Sequence, residues 1–204
     1  MRYARDHREK SHAKIVDAAG QAFRLKGFDG IGVDGLMAAA GLTSGAFYGH
    51  FRSKRAIIAE VVTAGLERLR NGVLRTQSKF PQGWLRVFVD FYLSEAHRRN
   101  LAGGCVLPSL SGDVVRADAK TRATYQAGLL ATAGAMAAQS PFSERPDGAQ
   151  RALSVLALLA GATLLSRAVA DEATGQEIAA AASAAITALM QEPKDLEPHR
   201  SSMA

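Results

Sequence analysis

Five histidines, one cysteine and a group of aromatic side chains carry the chemistry this chain has to offer, and their spacing excludes most of it. The histidines stand at 7, 12, 50, 97 and 199, with no His-x-x-x-His or Cys-x-x-Cys pair. A metal ion therefore has no evident ligands, and no metal site or cofactor is expected. No glycine-rich phosphate loop follows a strand and no catalytic set is visible, so the chain does not read as an enzyme. Two binding chemistries remain. Cys105, after Gly103 and Gly104, stands at a helix N-terminus, where the helix dipole favours a thiolate. Arg167 would add a cation there if the fold brings it close. Trp84, Phe88, Phe91 and Tyr92 share one helix face and, with Cys105, Leu107 and Tyr125, suit the wall of an apolar pocket. Any one of these side chains, taken alone, fits ordinary core packing better.

The elements that must position such groups begin with Gly32–Lys54, GVDGLMAAAGLTSGAFYGHFRSK. Val33, Leu36, Met37 and Ala40 fall at i, i+3, i+4 and i+7, the buried stripe of a short helix. Gly41 follows, where a residue free to take positive φ ends a helix. Thr43 or Ser44 can cap the next helix, Ser44 to His50. That helix carries small residues first, Gly45 and Ala46, and aromatics after, Phe47, Tyr48 and then Phe51. Small residues allow close approach to a nucleic-acid groove, while Phe47 and Phe51, four apart, anchor the helix to its own domain. The plan is that of a helix-turn-helix whose second helix enters the major groove by its N-terminal end.

The run GLTSGAFYGHFRSK resembles the signature of the TetR family of bacterial transcriptional regulators, and the likeness extends over roughly Arg8 to Val62. It implies an all-α fold: an N-terminal three-helix helix-turn-helix domain followed by a C-terminal helical ligand-binding and dimerisation domain. It also implies a cytoplasmic homodimeric repressor, released from a palindromic double-stranded DNA operator by a small-molecule effector or by modification of Cys105. Thr43, Ser44, Gly45 and Ala46 would face base edges; Tyr48, His50 and Lys54 would hold phosphates. Without Arg, Asn or Gln at the entry of that helix, the bidentate base readers are missing. Specificity then leans on Thr/Ser contacts, thymine methyls and DNA shape. The Gly-Cys segment at Cys105 resembles one that recurs in a branch of the family, some of whose members sense electrophiles or oxidants. The competing class is a helical ligand-binding protein or enzyme with a vestigial helix-turn-helix.

Charge agrees with a nucleic-acid partner. Residues 1–55 hold ten Lys or Arg against five acids, +5 of the chain's net +6. A basic head on a nearly neutral body suits a phosphate backbone better than a membrane. The first 14 residues have no apolar core, so no signal peptide is expected. The longest uncharged apolar run, 152–166, is too short to span a bilayer. One cysteine excludes an intrachain disulfide framework.

The chain divides into a DNA-binding head over 1–55, an effector-binding and dimerisation body over 56–192 and a disordered tail over 193–204. In the head, Asp6 and Glu9 suit a capping box for a helix closed by Gly27, and Phe28 and Ile31 plug the next junction. In the body, periodicity predicts helices from Ser53 to about Arg75, Trp84 to Asn100, a short one after Cys105, and Val114 to Gln139. The last two, about 149–170 and 174–191, are rich in small residues and expose more apolar surface than one subunit hides. The family resemblance makes them a four-helix dimer interface.

Overall fold

The computed structural model describes residues 2–139 and 141–191, the first six of these by backbone alone. The expected tail over 193–204 lies outside the described residues. Among these there are helices and no strands: α1 (Arg2–Lys26), α2 (Val33–Ala39), α3 (Ser44–Tyr48), α4 (Lys54–Lys79), α5 (Trp84–Leu93), α6 (Glu95–Arg99), α7 (Val106–Val115), α8 (Ala119–Ala137), α9 (Gly148–Ala168) and α10 (Glu172–Gln191).

The head is built as its stripes dictate. Ile15, Ala19 and Phe23 of α1 meet Leu36 and Met37 of α2, Phe47 and Phe51, and Ile57 and Ile58 of α4, all buried. Gly27 and Gly41 take φ of 73° and 66°, which ends α1 and turns α2 into α3 without strain on a side chain. Phe28 and Ile31 pack half-buried against this core. Helix α1 begins at Arg2, so Asp6 lies inside it and is not its cap.

The long α4 starts under a side-chain cap, Ser53 Oγ accepting from the Ala56 amide at 3.2 Å, and runs a turn beyond the expected end. Its apolar stripe continues as Val61, Val62, Leu66, Leu69 and Val73, while Leu74 faces out. Two glycines let it sit tightly against its neighbours. A Cβ at Gly65 would stand 2.7 Å from a Val106 side-chain carbon, and one at Gly128 of α8 would stand 2.7 Å from Leu66. The far end of α4 is tied by Gln77 Nε2, which donates to the Ala135 carbonyl at 2.9 Å.

Three boundaries differ from the periodicity. The helix expected over Trp84–Asn100 is two, because Ser94 turns extended (ψ 149°) and its hydroxyl oxygen accepts from the His97 amide, capping a new start. The helix expected from Val114 starts at Ala119 instead. Val114 belongs to the buried stripe of α7, and Asp118 caps α8 through the Thr121 amide at 2.8 Å. Helix α3 ends at Tyr48, two residues early, and His50 follows in a turn whose amide donates to the Phe47 carbonyl.

Helix α9 matches a membrane span in length and composition. Its Ala152, Val155, Leu156, Leu159, Ala162 and Thr163 are buried within the helical body, against α8 and α10 among others. The opposite side of α9 carries Ala157, Gly161, Leu164 and Leu165, half-exposed or exposed, beside an exposed alanine stripe on α10 at Ala180, Ala181, Ala184 and Ala188. This pairing leaves an apolar surface open.

Candidate nucleic-acid interface and effector cavity

Helix α3 is too short to hold itself, since an isolated helix of one or two turns is unstable in water. Its position comes from Phe47, fully buried and 5.4 Å from Phe51 between ring centroids. A second brace was not foreseen: Arg8 of α1 donates from Nη2 to the Gly49 carbonyl at 3.0 Å. It satisfies one of the free carbonyls that every helix C-terminus leaves. No local signal reports it, because the two residues are distant in sequence.

With its anchor side inward, α3 turns Thr43, Gly45 and Tyr48 to solvent. Tyr48 is 67% exposed, its ring meeting Phe47 edge-on at 5.4 Å between centroids. Thr43 occupies the N-cap position but makes no side-chain cap bond, which leaves its hydroxyl available. A Cβ at Gly45 would meet nothing within 4 Å. Ser44 is half-buried. Ala46, also expected at base edges, is half-buried and packs in part against the core beside Phe47.

The residues expected on phosphates are differently placed. His50 sits beside His12, ring centroids 5.6 Å apart. Burial, His12 and Arg8 together lower its pKa below the ordinary 6.5. These surroundings act against a charged imidazole in the free chain. Lys54, the first residue of α4, holds its ammonium 4.3 Å from the centre of the Phe28 ring. That contact fixes the junction between head and α4 while leaving the lysine half-exposed.

In the body, a cavity of about 210 Å³ opens between α4, α5 and α7. Of the side chains expected to line a pocket, Phe88, Phe91, Tyr92 and Cys105 do. Phe91 forms its mouth, being 63% exposed. Trp84 and Leu107 lie in the core, and Tyr125 bonds to the Ser111 hydroxyl at 2.6 Å, away from the wall. A 100° step per residue spreads α5's aromatics over more than one face, so Val87 also points outward. Sequence reasoning missed the polar wall: Arg24, Arg68, Arg75 and His97.

Cys105 caps α7, its Sγ accepting from the Leu107 amide at 3.4 Å. The helix terminus was expected to favour a thiolate; the half-buried surroundings of Cys105 act against it. Burial pushes the thiol up, outweighing the Tyr92 hydroxyl, the Leu107 amide, Arg167 and Arg24, all of which favour the anion. Arg167 is nearby as expected but is bonded to the Arg98 carbonyl and the Ser109 hydroxyl. The Tyr92 hydroxyl stands close enough to the sulfur to affect its acidity, yet lacks an aligned hydrogen-bond partner.

His97 Nδ1 bonds to the Tyr92 carbonyl at 2.7 Å, and burial nonetheless lowers its pKa below 6.5. The unfolded chain therefore takes up this proton first on acidification. Stability present above pH ~6.5 should fall as pH drops below it, toward the lowered native pKa. In urea titrations across that range, His97→Asn should flatten the decline of the midpoint, and His50 contributes in the same direction.

The sequence model for "Bacterial regulatory proteins, tetR family" matches residues 15–61, the segment from mid-α1 into α4. Solved structures extend the likeness along the chain. The reduced form of E. coli NemR is 18% identical with a TM-score of 0.74, covering 90% of this chain and 100% of that one. A TetR-family transcriptional regulator from Agrobacterium tumefaciens is 17% identical with a TM-score of 0.71, covering 88% and 98%. A TetR transcriptional regulator from Chloroflexus aurantiacus J-10-FL is 22% identical with a TM-score of 0.69, covering 89% and 96%. No curated protein matches the sequence. At these identities the solved structures establish the fold, and the family match covers the head.

Proposed function

We propose that this chain, a TetR-family transcriptional regulator, is a homodimeric repressor that reads a palindromic operator in the cytoplasm and leaves it when a small molecule fills the cavity. The observation that carries the reading is α3: a solvent-facing end of small residues, Thr43 and Gly45, held over a buried aromatic anchor and flanked by Tyr48. Such an end can enter a major groove, and the basic head supplies the sequence-independent attraction. The division into a head over 1–55 and a body over 56–192 follows from the same reading. So does a dimer formed by the open faces of α9 and α10. Two symmetric heads imply mirrored half-sites.

Release by a guest stands ahead of modification of Cys105, because burial disfavours the thiolate that reacts. Cys105→Ser should therefore keep both operator binding and effector response. N-ethylmaleimide should modify the thiol slowly, as followed by mass spectrometry.

Footprinting on the chain's own promoter region, with fluorescence anisotropy over a salt series, tests the regulator reading. Lys54→Ala should weaken specific and random duplexes alike and reduce the log–log salt slope by about one. A full-strength complex with an unchanged slope would remove Lys54 from the phosphate contacts. Salt-independent or absent DNA binding would favour a ligand carrier with a vestigial head.

A further inference from the structure

We propose that the cavity takes a small organic anion, a compact aromatic carboxylate, whose charge is met by Arg24. The inference rests on the effector reading above and names the chemistry of the guest.

Arg24 is a residue of the DNA-binding head, yet its side chain reaches the wall of the body's cavity. It is only 6% exposed, and its Nε donates to the Ala102 carbonyl at 2.6 Å, which holds the guanidinium in place. Its Nη2 is buried without a hydrogen-bond partner. A guanidinium taken out of water is destabilising unless an anion meets it, and planar carboxylates fit its fork. No carboxylate of the described residues forms an ion pair with it. Asp17, the nearest acid to act on it, bonds instead with Arg68 at 3.5 Å at the surface.

The rest of the wall carries the same sign. Arg68 and Arg75 line the cavity with Arg24, and no acid does. Burial and then Arg68 act against the charge of Arg24, and Asp17 and Cys105 offset them only in part. The Tyr92 hydroxyl, buried and without an aligned partner, offers a further donor on the same wall. Leu69, Phe88 and Phe91 add apolar lining suited to a flat ring. Size agrees: an apolar cavity of ~150 Å³ holds benzene. The 210 Å³ here leaves room for a ring bearing a carboxylate.

The position of Arg24 gives the anion a consequence. It sits on α1, whereas the other walls belong to α4, α5, α6, α7 and the loop before α7. A bound carboxylate therefore joins head to body. Occupancy biases their relative orientation if the anion binds one arrangement better than the other.

Benzoate is the probe, with benzamide as its neutral match and acetate as its charge without a ring, titrated calorimetrically into the full-length protein without DNA. Benzoate should bind at least about tenfold more tightly than either control. Arg24→Gln should remove the preference over benzamide while leaving benzamide itself within about twofold. Arg75→Ala, an exposed change that does not threaten folding, should weaken benzoate selectively. The proposal is overturned if benzamide or acetate matches benzoate, if none of the three saturates a site, or if the preference survives Arg24→Gln. Operator binding is measured separately by anisotropy. Loss there with benzoate selectivity intact counts against the regulator reading alone, and the converse counts against the anion alone.

Discussion

Gly45→Glu is expected to leave the fold and the dimer untouched and to weaken operator binding by at least about 100-fold. Nothing in the protein lies within 4 Å of a Cβ at this position, so the side chain has room. A carboxylate in the first turn of a helix is itself mildly favourable, and glycine is the poorer helix former. The melting temperature should hold or rise. At the DNA the sign reverses, because a carboxylate at the leading end of α3 meets phosphates and base edges that carry negative potential. Juxtaposed like charges cost several kcal/mol, and a dimer presents the fault twice. Gly45→Ala separates charge from bulk and should lose far less. Anisotropy on a footprinted operator decides the matter. Parent-like binding by Gly45→Glu would show that α3 does not face the groove.

Leu165→Glu should break the proposed dimer, the second large effect. Leu165 is 57% exposed in the single chain and shares an open stripe of α9 with Ala157, Gly161 and Leu164. Within one chain the substitution is a surface change of little consequence. In a two-fold interface each copy buries an unpaired carboxylate, at roughly 3 kcal/mol or more apiece. Dimer dissociation should rise by about 10⁴-fold in sedimentation equilibrium, roughly 6 kcal/mol in all. Operator affinity should fall with it, since a lone head binds one half-site. Gly161→Leu gives an independent check. A Cβ there meets nothing within 4 Å in its own chain, so a dimer loss with an unchanged monomer melting temperature would arise from the partner. A parent-like dimer for both variants would place the interface elsewhere.

Much of the head was legible because its signals are local. The stripe through Leu36 and Met37, the positive-φ Gly41 and the aromatic pair Phe47 and Phe51 act over three to six residues, and all take the expected places. The half-burial of Ala46 was not legible, because periodicity alone does not say how far round a short helix its anchors reach. In the body, periodicity located helices but not all their ends. Ser94 and Asp118 cap new starts inside apparently continuous patterns, and capping competes with propagation by a margin that periodicity does not register.

By itself the sequence determined an all-helical chain, a helix-turn-helix with its small-residue leading end, a concentration of positive charge in the head and an excess of apolar surface on the last two helices. Each of these is set by residue type and by spacing along one helix. Only the tertiary structure decided that Arg8 braces Gly49, that Arg24 crosses from α1 into the cavity beside Tyr92, and that Trp84, Leu107 and Tyr125 stay out of the cavity wall. It also set the surroundings of Cys105, where burial pushes the thiol up against the pull of the helix terminus. Burial and the pairing of charges depend on every element that packs around a group, and those elements come from distant parts of the chain.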